Sequence, residues 1–261
     1  MRSCQQMILV LVCLAITFSS NAAQSNELGK VFYIRGAGGV TFWSMGDFND
    51  AQDRNKELLD DDGFSTDYED IGSVFDLAVE AGARVSSMFS VGLTFSRGSK
   101  TIENSANVST LGGDLFVADD YELDIWELVA NVAFWVPGAS GLYLGASAGT
   151  GKGTMTEDIG IRVVNGVNES LAASGDYDGS GFVGGIFAGF QYEFDSAPLV
   201  YAEMGFRLRN LGEFDGTFED PDQLFGEPRD GTPRDFDEEA LGDIDYSGFY
   251  IRAGLGVAFD I

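Results

Sequence analysis

The chain has 261 residues, with 15 Lys+Arg against 42 Asp+Glu, no histidine and a net charge of −27. Such a charge excludes nucleic-acid binding through phosphate neutralisation, and the missing histidine excludes Ser-His and His-Asp catalysis. The 35 Gly, 21 Phe and 9 Tyr beside only 5 Pro point to β structure rather than to disorder.

In chain order, the first element is a leader. Arg2 is a thin positive region, Met7 to Phe18 is an apolar run, and Ser20 to Ala23 supplies small residues for cleavage. Residues 1–23 read as a secretory signal. Both cysteines, Cys4 and Cys13, lie inside it, so the mature chain 24–261 has no thiol and must be stable without disulfides. No later apolar run approaches the roughly 20 residues of a membrane helix. A membrane-spanning form must therefore be a closed barrel.

Eight segments then alternate with period two. In Val31–Phe42 the residues Phe32, Ile34, Val40 and Phe42 share a face. Gly72–Ser86 places Phe75, Leu77, Val79, Ala81, Ala83 and Val85 opposite Asp76, Glu80 and Arg84. Met88–Gly98, Trp126–Val136, Leu142–Gly149, Gly181–Phe194, Val200–Arg209 and Phe249–Phe259 alternate likewise. Each is near the length of a tilted transmembrane strand. A soluble sandwich has shorter strands, and its second sheet would bury the charged face at high cost. The predicted fold is all-β, a closed eight-stranded antiparallel up-and-down transmembrane β-barrel.

The connections alternate between long and short. Trp43–Ile71, Ser99–Asp124, Lys152–Ser180 and Asn210–Gly248 are read as four long acidic loops. About Ser86–Ser87, Pro137–Gly141 and Asp195–Pro198 are short turns. Transmembrane barrels carry long loops outside and short turns inside. This rhythm predicts an outer-membrane location with both termini in the periplasm. Most of the acidic residues fall in the long connections. Within the first, Asp50–Asp61 has the composition of a short helix. Glu219–Glu239 is long and broken by proline.

The run Phe249–Phe259 (FYIRAGLGVAF) closely matches residues 32–42 (FYIRGAGGVTF). It looks like a terminal strand read by the barrel-assembly machinery, although Asp260 and Ile261 follow Phe259. With the eight segments and the loop rhythm, the chain resembles the OmpA-like/OmpW-like eight-stranded outer-membrane barrels of Gram-negative bacteria. The resemblance covers the mature chain and rests on architecture. It implies a barrel set among outer-membrane lipid and lipopolysaccharide; unlike full-length OmpA proteins, the chain is expected to carry no periplasmic peptidoglycan-binding domain.

The faces opposite the lipid side carry Asp76, Glu80, Glu127, Glu193 and Glu203, and also Arg35, Arg84, Arg207, Arg209 and Arg252. An eight-stranded barrel is just wide enough for side chains to fill. The structural reading is a lumen ion-pair network that plugs the barrel; the functional reading is a narrow polar pore. A second repeat, D-x-D-x-S-G-F, places Asp176 and Asp178 before Phe182, and Asp243 and Asp245 before Phe249. Alternate carboxylates before a glycine suit weak Ca²⁺ binding; the plainer reading is acidic turn residues. No other cofactor, no nucleic acid and no enzymatic activity is expected. A structural or surface-interaction role leads, and the alternative is a small OmpW-like channel for small or apolar solutes.

Overall fold

A computed structural model describes residues 31–69, 71–110, 113–164, 168–194, 198–212, 214–220 and 246–260. The predicted signal and the Asp243 and Asp245 carboxylates lie outside the described residues. Strands β1 (Val31–Trp43), β3 (Val74–Arg84), β4 (Phe89–Thr110), β5 (Gly113–Trp135), β6 (Leu142–Val164), β7 (Asn168–Glu193), β8 (Pro198–Asn210) and β10 (Gly248–Asp260) form one antiparallel ring. The short strands β2 (Ser65–Asp67) and β9 (Asp215–Glu219) pair with β4 and β7. Pairing of β4 with β5, and of β1 with β10, leaves no edge in the ring. A closed ring is what a strand needs in hydrocarbon, where no water can satisfy its backbone. Helix α1 (Gly46–Asp61) occupies the first long connection, over the residues whose composition predicted it.

The outside of the ring is apolar. Ile186 and Leu255 are two-thirds exposed, and Phe75, Leu77, Leu93, Val132 and Leu208 are more than half exposed. Exposure on this scale in water would mark a large sticky patch; here it forms the lipid-facing belt of a transmembrane barrel.

The seam has a symmetry of its own. The matching segments 32–42 and 249–259 run antiparallel, with Phe32 opposite Phe259 and Phe42 opposite Phe249. The repeat thus pairs with its own copy about a local two-fold. Arg35 stands opposite Gly256 and Arg252 opposite Gly39. A Cβ on Gly39 would lie 2.6 Å from the Arg252 Cβ, and one on Gly256 would lie 2.7 Å from the Arg35 Cβ. Each glycine leaves the room that the facing arginine stem uses.

Two of the four connections read as loops are not loops. Residues 99–110 and 113–124 are paired strand that continues β4 and β5, and 152–164 and 168–180 continue β6 and β7 in the same way. β4 runs 13 residues past Arg97, about 40 Å of strand. The pleat keeps its phase on leaving the belt, but hydrophobicity changes face. Below, Phe95, Leu128, Leu144 and Phe182 point out; above, Ile102, Leu123, Met155, Ile159 and Tyr177 are buried inside. Outside the membrane the wall faces water, so the apolar side must turn inward. Polar residues on the other face gave these stretches the look of loops.

Helix α1 closes this inner space. Met45, Phe48, Ala51, Gln52 and Asn55, at helical spacing, are all buried. Phe48 meets Tyr121 edge-on at 5.1 Å, within a core that also holds Trp43, Ile102, Met155, Phe214 and Tyr246. The helix ends at Gly63, whose positive φ and N–H donation to the Asp60 carbonyl oxygen make a glycine C-terminal stop. Asn104 latches the connection. Its amide donates to Gln52 Oε1 at 2.7 Å, and its oxygen accepts from the Glu69 N–H at 3.1 Å.

Candidate functional site

The lumen of the belt is built from the inward positions of all eight strands. Nine of the ten charged residues picked out for it stand in register-defined places along the inner wall, in three groups, and Asp76 stands beside them.

The central group lies on the seam. Arg35 Nη2 meets Glu80 Oε2 at 2.9 Å and Glu203 Oε2 at 3.5 Å, and Arg252 Nη2 meets Glu203 Oε1 at 2.6 Å. The Tyr33 hydroxyl donates to Glu80 and the Tyr250 hydroxyl to Glu203. Arg35 and Glu80 are direct cross-strand partners, as are Arg252 and Glu203. The local two-fold therefore extends to the flanking strands. There Glu80-Ala81-Gly82-Ala83-Arg84 and Glu203-Met204-Gly205-Phe206-Arg207 share the pattern E-x-G-x-R. The glycines serve close approach, because Gly82 lies under the Tyr33 ring and Gly205 under the Tyr250 ring. Reading the interior as a set of charges missed this unit. The repeated Y-x-R beside E-x-G-x-R was the available signal.

Bonds in this group cross the barrel. Arg35 Nη1 donates to the Tyr143 hydroxyl at 3.0 Å and to Gln191 Oε1 at 3.2 Å. Tyr143 sits on β6, on the far wall from β1, and its own hydroxyl donates to Glu203 Oε2 at 3.1 Å. The Arg35 guanidinium also stacks over Tyr201 at 4.2 Å.

The second group lies toward the long-connection end. Glu127 accepts from both Arg207 and Arg209, Arg207 reaches Ser96 across the lumen at 3.2 Å, and Arg209 Nη1 donates to the Tyr246 carbonyl oxygen at 2.6 Å. Asp76 lies near Arg252, Arg207 and Arg209, beside a void of ≈ 10 Å³ that it lines with Thr41, Ser96, Glu127 and Arg209. That is the room one water takes. The third pair, Arg84 and Glu193 at 2.7 Å, is partly exposed at the short-turn mouth, where Arg84 stacks on Trp135 at 4.1 Å. The lumen is therefore layered, with a rim pair, two ion-pair layers, and the apolar core under α1.

The outer face of the extended hairpins is acidic. Glu103, Asp120 and Asp158 are direct cross-strand neighbours, an arrangement that like charges disfavour. Partial burial, then Glu103 and Asp158, push the Asp120 carboxyl up from its ordinary range. A raised folded-state pKa favours folding below the unfolded-state pKa, and the benefit is lost as pH rises through the folded value. Asp120→Asn should therefore raise the thermal midpoint at pH 7 and leave it unchanged below about pH 3, where both states are protonated, as melts of the purified barrel at both pH values would show. Nearer the belt, Asp176 accepts from Thr156 at 2.9 Å and Asp178 meets Lys152 at 3.0 Å. Both lie along strand β7 rather than in a turn. Among the described residues no group of three or more carboxylates is arranged to hold a metal ion.

No family model and no curated protein matches the chain. Among solved structures it is similar to the outer membrane protein OprG of Pseudomonas aeruginosa, with 15% identity and a TM-score of 0.44, over 90% of this chain and 98% of that one. It is also similar to the attachment invasion locus protein Ail of Yersinia pestis (11% identity, TM-score 0.41, 89% and 100%). A third is CarO2 of Acinetobacter baumannii (13%, TM-score 0.38, 87% and 99%). At these scores the architecture rests on this chain's own register. That closed ring of eight antiparallel strands, with its apolar belt, is the architecture of the OmpA-like/OmpW-like outer-membrane barrels that the sequence resembles.

Proposed function

We propose that the chain is an anchored surface barrel of the Gram-negative outer membrane, with a structural or surface-interaction role and no catalytic one. One observation carries this reading: Arg35–Tyr143 and Arg207–Ser96 hydrogen bonds cross the lumen, and a buried core closed by α1 stands above them. A side chain fixed across the lumen blocks a solute that has no wider path. The orientation follows the connections, with the hairpins, α1 and their acidic outer face toward the medium and both termini periplasmic. The terminal strand Phe249–Phe259 is the segment offered to the barrel-assembly machinery. Weak divalent-cation binding on the acidic face, Asp176 and Asp178 included, belongs to the same reading, and calorimetry at millimolar Ca²⁺ tests it.

The alternative, a small OmpW-like channel, differs in one measurement. Purified barrel in planar bilayers should give no reproducible open state. Long-lived unitary openings, or swelling of liposomes in small sugars, would sink the plug and leave the channel.

A further inference from the structure

We propose that Arg97, Trp126 and Lys152 form a binding site for the phosphate of a phosphorylated outer-leaflet lipid. The inference rests on the reading of the chain as a membrane barrel. The three residues are direct cross-strand neighbours on β4, β5 and β6. Their side chains face out in one row, with neighbouring strands about 4.8 Å apart. The row stands at the level where hydrophobicity changes face. Phe95 and Leu128 are the next outward residues below Arg97 and Trp126, and both are about half exposed. Asp124 and Asp178 begin the acidic face above.

That height is where a lipid has its head group. Among the described residues the outward basic side chains of the wall are Arg97, Lys152 and Arg162, and Arg162 stands ten residues farther up β6 than Lys152. The two lower cations thus lie between the lipid layer and the acids. A phosphate approaching along the belt meets positive charge before negative.

The ion pairs position the cations without using them up. Arg97 holds Asp124 through Nε and Nη2, at 3.0 to 3.3 Å, yet its side chain is 64% exposed. The Nη1 edge of the guanidinium remains for a second oxyanion. Lys152 spends one contact on Asp178 and has three donors. Trp126, 41% exposed, adds a ring of the kind that sits at membrane interfaces. Below it, past Leu128 and Thr150, the exposed Ala130 and Ala148 are direct neighbours on β5 and β6, while the Phe182 ring covers Gly184 on β7. The two alanines leave a shallow apolar patch below the row, bounded by Leu128 and Phe182, for an acyl chain.

The test uses the full mature chain in detergent micelles, with native mass spectrometry as readout. The probes are bis-phosphorylated lipid A and the same lipid with its phosphates removed. Wild-type protein should retain the phosphorylated form preferentially, and Arg97→Gln/Lys152→Gln should weaken that retention about tenfold, since each basic residue near an anionic surface contributes a several-fold effect. Equal retention by the double variant overturns the site. So does retention stripped by EDTA, which would assign binding to cations bridged by the acids. Displacement by millimolar inorganic phosphate would remove the lipid from the proposal. Heat-modifiable gel mobility is checked on the same samples. Its absence in wild type overturns the barrel reading together with the site; its presence with unchanged lipid retention overturns the site alone.

Discussion

Glu203→Ala should lower the stability of the folded barrel by about 3–5 kcal/mol, the cost of breaking a buried charge pair from one side. Glu203 is buried and takes four contacts: Arg252 at 2.6 Å, Arg35 at 3.5 Å, and the hydroxyls of Tyr250 and Tyr143 at 2.8 and 3.1 Å. Without it, Arg252 loses the carboxylate it pairs with, and Arg35 keeps one paired carboxylate, Glu80, beside its bonds to Tyr143 and Gln191. The lumen offers these guanidinium groups little water. Urea titration of barrel refolded in liposomes, read by the gel-mobility shift, measures the change. Glu203→Gln should fall between, because the amide oxygen can still accept from the tyrosines while the charge is gone. A loss under about 1 kcal/mol for the alanine variant, the scale of an exposed pair, would mean that the lumen is wet and that the plug does not hold.

The second large effect is expected far from the belt. Phe48→Ala should cost about 3–5 kcal/mol, the usual range for truncating a buried aromatic side chain. Phe48 is 1% exposed and packs on Tyr121. That cost should fall on the cap and spare the ring. The strands of the belt hold one another through pairings that do not include α1. Limited proteolysis should cut residues 46–64 much faster in the variant, while the heat-shifted gel mobility persists. Loss of both together would show that cap and ring are one cooperative unit.

The belt was legible in the sequence because its constraint is simple. Lipid outside and a crowded lumen inside force alternation at every strand, and Leu77, Leu128 and Phe206 could take no other face. The extended hairpins were not legible as strands, since Ser99–Asp124 and Lys152–Ser180 are polar on one face, as loops are. Their inward positions Ile102, Leu123, Met155 and Tyr177 still follow period two, with the apolar phase reversed. A reading tuned to one phase stops where the solvent changes. Of the lumen, charges and facing were legible, but the partners were not. Whether Arg35 reaches Glu80 or Glu203 depends on barrel closure, and Tyr143 enters from the opposite wall. The hydroxyls of Tyr33, Tyr143 and Tyr250 were overlooked because tyrosine on an inner face resembles ordinary packing.

The self-pairing of the two closing strands makes one size rule appear twice. Gly39 faces Arg252 and Gly256 faces Arg35, so each position is answerable to a residue more than two hundred places away. A methyl gained at either glycine meets backbone first, the carbonyl oxygen of Ile251 or of Ile34 at 2.5 Å, so shortening the opposing stem makes no room for it. An alanine at Gly39 or Gly256 should thus disturb the closure even beside a shortened Arg252 or Arg35. The same backbone constraint acts on both copies of the repeat, which gives the chain a reason to keep its first and last strands alike.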